Sequence, residues 1–380
     1  MPLSRRSFLT ADLGISIVTT VTSVSATGCG RARASGLKGD PFMLGVASGD
    51  PAPDGFVIWT RLALDPIADD SLGGMPNRSI PVQWEVAEDE QMARVVARGE
   101  EQAVLDSAHS VHVELFGLRP GREYFHRFRT GDHMSIVGRA LTTPAATETP
   151  AALAMAFASC AQYEHTTGEY VSDTGLVRAV DGPQTVTLEN YRQRHARTSQ
   201  TPICRQPMRS RRGSSAPTGH DMKIFRRIQW GNLANFHMLD TRQYRDDQAA
   251  GDGWQENMAE RHDEARTLTG AEQEAWLLDG FRTSTAHWDF LGQQLFFAEQ
   301  DKDPSPTTDE VSMDSWDGYA ASRRRITEGW VDSPVRNAVV LTGDVHRHWA
   351  NDIKVDFADP DAPKASFEIV SGQPGLQEKA

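Results

Sequence analysis

The segment 342–349 carries residue types whose spacing suits chemistry. It reads Thr-Gly-Asp-Val-His-Arg-His-Trp and directly follows the apolar run 338–341. A short apolar run that ends in glycine and polar residues is typical of a buried parallel strand, and open α/β sheets bind ligands at the carboxyl ends of such strands. We therefore expect Asp344, His346 and His348 to lie at a functional edge of a sheet.

The metal-binding potential of this segment depends on Asp344 and His346. They are two positions apart, so an extended backbone places both side chains on one face. One carboxylate and one imidazole suit a hard or borderline metal ion. The alternative is an aspartate that caps a turn beside two surface histidines. The strand context favours the metal site.

Length and composition narrow the class of protein. A chain of 380 residues predicts two domains, and a net charge of −13 with a pI near 5.4 argues against a nucleic-acid-binding module. No apolar stretch reaches the length of a membrane span. The three cysteines, Cys29, Cys160 and Cys204, are too few for a disulfide framework, although Cys160 and Cys204 could pair in an oxidising compartment.

The N-terminus predicts export. Residues 4–9 read Ser-Arg-Arg-Ser-Phe-Leu, which matches the twin-arginine signal pattern, and the mildly apolar segment 13–24 that follows is too short and polar for a stable anchor. We expect residues 1–38 to be a signal region that directs the folded protein, through the twin-arginine machinery, to the periplasm or outside the cell. Cleavage after Ala26 and lipidation at Cys29 are both open, although a lipobox prefers leucine where Ala26 stands.

Residues 42–143 predict a β-sandwich of the immunoglobulin or fibronectin III type. The pattern Leu-x-Pro-Gly-x-x-Tyr at 118–124 resembles the tyrosine corner of such sandwiches, and Trp59 and Trp84 are expected in the core. Residues 49–51 predict a turn. The expected strands are 42–46, 55–61, 81–86, 111–115 and 118–128.

Residues 151–380 predict a second domain, of the α/β class. A helix at 269–278 is expected between strands, since the residues before it offer a helix cap. The basic, loop-like segment 161–222 contains no apolar run long enough for a buried strand, so the domain is expected to be incomplete. The expected strands are 153–160, 234–240, 288–297 and 338–341.

Taken together, these features resemble the alkaline phosphatase D (PhoD-like) metallophosphatases along nearly the whole chain. The resemblance implies hydrolysis of small phosphate mono- or diesters outside the cell, with ferric iron and calcium as cofactors. Besides the twin-arginine signal, it is carried by residues 44–62, 157–160 (FASC), 239–245 (LDTRQYR), 270–280, 313–319 (MDSWDGY) and 342–349.

The resemblance also implies roles for individual residues. Cys160 and Asp344 correspond to iron ligands, with His346 in the same cluster. His346 and His348 are candidate catalytic residues, and Arg242 in the LDTRQYR motif is a candidate substrate-binding residue.

Two motifs of the resembled family are missing. Gly-Asp-Tyr-Ile-Tyr-Glu and Trp-Asp-Asp-His-Glu supply further metal ligands in the family and have no counterpart here, although sequence at 163–171 and 190–217 matches their flanks. The chain is therefore predicted to be an internally truncated metallophosphoesterase-like domain behind its sandwich. Three functions follow: a metal-dependent hydrolase, a catalytically inactive remnant of one, or a binding protein that works through the sandwich alone.

Overall fold

The computed structural model describes residues 36–157, 170–172, 175–177 and 223–372, except 67, 69–71, 158–160 and single positions at 252, 257, 304, 306, 336, 346 and 360. Contacts place these residues in one compact unit, 34–380. The predictions for the signal region up to residue 35, for the three cysteines and for most of 161–222 therefore lie outside the described residues. Among the helices that are described, none has the length and apolar character needed to cross a membrane.

The first part of the chain folds into two antiparallel sheets. One has the order β1-β2-β5; the other has the order β4-β3-β6-β7, with β8 also paired to β6. A short 3-10 helix at Leu105–Ser107 precedes β5. The strands are β1 (Val46–Ala52), β2 (Gly55–Arg61), β3 (Ile80–Ala87), β4 (Val95–Ala103), β5 (Ser110–Glu114), β6 (Glu123–Thr130), β7 (His133–Met134) and β8 (Gly138–Leu141).

One apolar core joins these two sheets. Phe56 and Ile58 of β2 pack in the same cluster as Val82 of β3 and Phe128 of β6. In β6 every second side chain is buried, as expected of a strand with one face on a core. The expected positions of the tryptophans are confirmed, since Trp59 is buried and Trp84 packs against the cluster.

Tyr124 makes the hydrogen bond to a preceding residue that is typical of a tyrosine corner. Its hydroxyl accepts a hydrogen bond from the backbone N–H of Arg119 at 3.0 Å. The start of the region differs from expectation, because β1 begins at Val46 rather than covering 42–46. It also continues through 49–51, where a turn was expected. A register shift between Gly49 and Ala52, with Asp50 at a φ of +43°, absorbs that irregularity inside the strand.

The second part contains two helices, α1 (Gly270–Thr283) and α2 (Ala320–Val331), and 3-10 helices at Ala259–His262 and Trp316–Tyr319. Two short antiparallel pairs, β9 with β10 and β13 with β15, stand apart from the main sheet. The strands are β9 (Tyr170–Ser172), β10 (Gly175–Val177), β11 (Arg226–Trp230), β12 (Ala234–Met238), β13 (Trp254–Glu256), β14 (Trp288–Gly292), β15 (Glu310–Ser312), β16 (Ala338–Thr342), β17 (Trp349–Lys354) and β18 (Lys364–Val370).

The main sheet has six strands in the order β11-β12-β14-β16-β18-β17. Strands β12, β14, β16 and β18 are parallel, and the two edge strands run antiparallel to their neighbours. Helices α1 and α2 pack on this sheet through one apolar cluster, which includes Phe281, Trp330, Leu291 and Val340. Because the central strands are parallel, the loops that follow β12, β14 and β16 all leave from the same edge.

Three sequence expectations for this part need correction. Residues 153–157 form no strand, and 158–160 lie outside the described residues. Strand β14 ends at Gly292, not at 297, because the side chain of Gln293 accepts the backbone N–H of Leu295 at 2.8 Å and so turns the chain. Helix α1 continues five residues beyond the predicted end, to Thr283.

The two parts are joined by a buried ion pair. Nε of Arg226 in β11 lies 2.6 Å from Oδ1 of Asp50 in β1, and both side chains are largely buried. Nearby, the backbone N–H of Asn232 donates to the carbonyl of Glu148 at 2.6 Å. The edge of the six-stranded sheet is therefore fixed against the first sheet.

Candidate functional site

Hydrogen bonds between side chains tie together the three loops at the carboxyl edge of the main sheet. The side-chain oxygen of Gln294, after β14, accepts from the N–H and the hydroxyl of Thr241, after β12, at 3.0 and 2.7 Å. Gln293 donates from Nε2 to the hydroxyl of Thr342, the last residue of β16, at 2.6 Å. The motif at 239–245 is thereby brought to the same edge as the segment after β16, where the sequence predicts Asp344 to lie.

Arg242 connects two carboxylates at this edge. Its Nη1 donates to both oxygens of Asp314, at 3.2 and 3.1 Å, while its Nη2 lies 3.6 Å from Oδ1 of Asp344. Arg245 and Gln248 also donate to Asp314, at 2.6 and 2.9 Å. The guanidinium of Arg242 is therefore held from one side and faces Asp344 on the other.

The ionised form of Asp314 is favoured by these donors. Partial burial opposes ionisation, but the hydrogen bond from Arg245 and the charge of Arg242 outweigh it and lower the pKa of Asp314. A carboxylate that stays charged can keep both guanidinium groups in place over the working pH range.

Asp344 occupies a strained backbone conformation. Its φ is +74°, and the N–H of Val345 donates to the carbonyl of Gly343 at 3.0 Å, across Asp344. This pattern matches the rare γ-turn whose central φ is about +75°. The alternative of a turn-capping aspartate describes Asp344 only in part, because Asp344 is itself the centre of the turn and its half-exposed carboxylate faces Arg242.

His348 is tied to the segment that follows β18. Its Nδ1 accepts the backbone N–H of Gly372 at 3.1 Å. In the neutral ring this leaves the proton on Nε2, at an exposed position. His346 and Cys160 lie outside the described residues, so the structure brings together Asp344 and Arg242 of the predicted site and leaves the predicted ligand set untested.

Two family models match the chain. The model described as PhoD-like phosphatase matches residues 203–374, and the PhoD-like phosphatase N-terminal domain matches residues 28–144. Alkaline phosphatase D of Bacillus subtilis (strain 168) is 39% identical over 418 residues of alignment, covering 90% of this chain and 71% of that protein. The chain belongs to the PhoD-like phosphatase family.

The fold agrees with this membership. A solved structure described as PhoD superposes with a TM-score of 0.78 at 38% identity, covering 90% of this chain and 78% of the other. Among the described residues of this family member, strands clearly outnumber helices. The family predicted from the sequence is confirmed, and nothing in these likenesses favours the alternative of an inactive remnant.

The structure describes only part of the metal-ligand set that is predicted for this family member. A thiolate, a carboxylate and an imidazole would together suit a borderline metal ion. Of Cys160, Asp344 and His346, only Asp344 is described, and the described residues contain no group of three or more His, Cys, Asp or Glu that could hold an ion. The fit of a metal here therefore depends on the two residues that are not described.

Sequence reasoning missed two carboxylates in this PhoD-like chain: Asp314, which bonds Arg242, and Glu368, which bonds the last residue of β16. Asp314 belongs to the MDSWDGY motif, but its partner Arg242 is 72 positions away in sequence, so no local pattern reveals the pairing. Glu368 is fully buried in β18. The signal that could have revealed Glu368 is a charged residue within an otherwise apolar strand. The sequence analysis predicts no strand at 364–370, so this signal was not recognised.

Proposed function

We propose that this chain is an exported, metal-dependent phosphoester hydrolase that acts on small phosphate mono- or diesters at the carboxyl edge of its six-stranded sheet. The observation that carries the proposal is the guanidinium of Arg242 placed 3.6 Å from the carboxylate of Asp344 at that edge. A cation beside a candidate metal ligand provides charge for a phosphoryl group, whose oxygens bind guanidinium groups well.

In this proposal Arg242 binds and orients the phosphoryl oxygens, with Asp314 holding its Nη1 side. Asp344, with Cys160 and His346, would hold an ion, ferric iron with calcium by family resemblance. Held there, the ion would supply Lewis-acid polarisation of the phosphoryl group and a more acidic bound water. His348, whose neutral ring keeps its proton on Nε2, is the candidate hydrogen-bond donor that would stabilise charge on the leaving oxygen, and His346 is the candidate for proton transfer.

The proposed domain organisation is a twin-arginine signal at 1–38, an immunoglobulin- or fibronectin III-like sandwich at 42–143 and an internally truncated α/β domain at 151–380. The shared core of the first two sheets and the hydrogen bond of Tyr124 support the sandwich. Parallel strands flanked by α1 and α2 support the α/β assignment.

The test is hydrolysis of an aryl phosphate and a bis-aryl phosphate by the purified chain, with and without added iron and calcium. The matched control is the double variant Cys160→Ala, Asp344→Ala. We expect metal-stimulated turnover in the parent chain and none in the variant. Equal rates in the two proteins would contradict the proposal, and iron in stoichiometric amount in the purified parent would count against an inactive remnant.

A further inference from the structure

Glu368 is a buried carboxylate that the proposed chemistry does not use. It is 0% exposed, and its two oxygens accept four hydrogen bonds. The backbone N–H of Phe297 and the hydroxyl of Thr342 donate to Oε1 at 2.8 and 2.5 Å, and the N–H of Ala298 and Nδ2 of Asn351 donate to Oε2 at 3.1 and 2.9 Å. Such full hydrogen bonding is what allows a buried carboxylate to be tolerated.

Two of these donors flank the loop that carries the candidate site. Thr342 is the last residue of β16, and Asn351 lies in β17. The loop between the two strands, 343–348, contains the strained turn at Asp344. One carboxylate, reaching from the neighbouring strand β18, therefore fixes a residue of each strand that flanks this loop.

The strain at Asp344 explains why such fixing is needed. A residue held in a sparsely populated backbone region is destabilising, and the conformation persists only where its surroundings impose it. The hydroxyl of Thr342 is also bonded by Gln293, whose side-chain oxygen accepts from Nε1 of Trp316 at 3.0 Å. Trp316, Gln293, Thr342 and Glu368 thus form a buried chain of hydrogen bonds, which begins in the apolar cluster between the helices and the main sheet.

We propose that Glu368 is a positioning residue: by holding Thr342 and Asn351, its carboxylate keeps the backbone at Asp344, in the loop between β16 and β17, in the strained turn that presents Asp344 to Arg242. The kinetic consequence rests on the proposed phosphoester hydrolysis, whereas the structural consequence does not. Glu368 acts through the loop and does not touch the substrate.

The test uses isosteric changes in the full chain. In Glu368→Gln an NH₂ group replaces one oxygen, so the two donors at that end lose their acceptor. Thr342→Val removes the hydroxyl that donates to Oε1 of Glu368, and Thr342→Ser keeps it. Glu101→Gln, at an exposed position of β4, controls for the loss of one negative charge.

Two quantities are measured: hydrogen exchange of the amides of residues 343–345, and kcat and KM for a bis-aryl phosphate. We expect exchange to accelerate and kcat to fall by about 10- to 100-fold in Glu368→Gln and Thr342→Val, with KM nearly unchanged. Thr342→Ser and Glu101→Gln should resemble the parent chain in both quantities.

The proposal is overturned if exchange at 343–345 is unchanged in Glu368→Gln and Thr342→Val, or if exchange accelerates equally over the whole sheet, which would mark a general loss of stability. Should Glu368→Gln fail to fold, the Thr342 pair decides alone. A parent chain without phosphatase activity would contradict the proposed function. The hydrogen-exchange rates at 343–345 would still decide the role of Glu368.

Discussion

Nη2 of Arg242 lies 3.6 Å from Oδ1 of Asp344, while Nη1 of the same guanidinium is bonded to both oxygens of Asp314. The side chains of Arg242 and Asp344 are each more than 40% exposed, so their ion pair adds little to stability. The ion pair matters because it places the guanidinium of Arg242 beside Asp344, the candidate metal ligand, although the two residues are far apart in sequence.

Replacement of Arg242 tests its role in binding the substrate. Arg242→Ala should lower kcat/KM for a bis-aryl phosphate by about 100-fold, because a charge-assisted contact to the phosphoryl group is lost. Arg242→Lys should recover part of the loss, since a point charge replaces the guanidinium fork. Thermal unfolding should change little in either variant. A kcat/KM for Arg242→Ala within twofold of the parent value would rule out this role.

The positive φ of Asp344 predicts that the residue type at this position affects stability as well as activity. Asp344→Gly should raise the free energy of unfolding by about 1 kcal/mol relative to Asp344→Ala, because glycine accepts a positive φ without steric cost. Both variants lack the carboxylate and should be inactive. Denaturant unfolding of the pair provides the measurement, and an alanine variant as stable as the glycine variant would show that the turn carries no strain.

Acid should destabilise the first part of the chain through His126. This side chain is 1% exposed beside Phe128, and burial lowers the pKa of His126 to about 4. In the unfolded chain His126 takes up a proton near pH 6.5, whereas in the folded chain it does so only near pH 4. The contribution of His126 to the free energy of unfolding is therefore fully present above pH 6.5. It is lost as the pH falls from 6.5 to 4, by on the order of 3 kcal/mol in all.

The variant His126→Leu isolates this contribution. The difference in unfolding free energy between pH 8 and pH 5 should shrink by about 2 kcal/mol relative to the parent chain, since no group at this position then titrates. Urea titrations at the two pH values measure it. A variant with the same pH dependence as the parent would show that His126 does not set the acid limit.

Two neighbouring arginines of α2 should differ sharply in their effect on stability. Arg323 is buried and donates to Asp317 at 2.6 Å and to Glu299 at 3.0 Å, whereas the side chain of Arg324 is 46% exposed. Arg323→Leu should cost about 3–5 kcal/mol, because Asp317 is left as an unpaired buried carboxylate. Arg324→Leu should cost less than about 1 kcal/mol. Similar unfolding midpoints for the two variants would contradict this account.

The sequence predicts the parts of the fold in which a local pattern decides the structure. Strands β2 and β16 are short apolar runs between polar residues, and both form where expected. Their sequences need no distant partner to be recognised, because burial on both faces leaves one uninterrupted signal. The prediction that Asp344 lies at a sheet edge follows from the same signal.

The sequence does not reveal elements whose character comes from distant partners. Helix α2 buries Arg323 against Asp317 and Glu299, so its hydrophobic stripe contains a charge and was not recognised. Strand β18 hides Glu368, whose donors come from three other segments. For the site, Arg242 was found through a motif, but its anchor Asp314 becomes visible only once the chain is folded.

The ion pair between Asp50 and Arg226 constrains how this chain can diverge. Neither residue can lose its charge alone without leaving the other desolvated at the junction between the two parts of the molecule. We therefore expect substitutions at these two positions to be tolerated together, either as an exchange of the two charges or as a joint replacement by apolar side chains. A chimaera that combines the first part of one relative with the second part of another should be most stable when these two positions match.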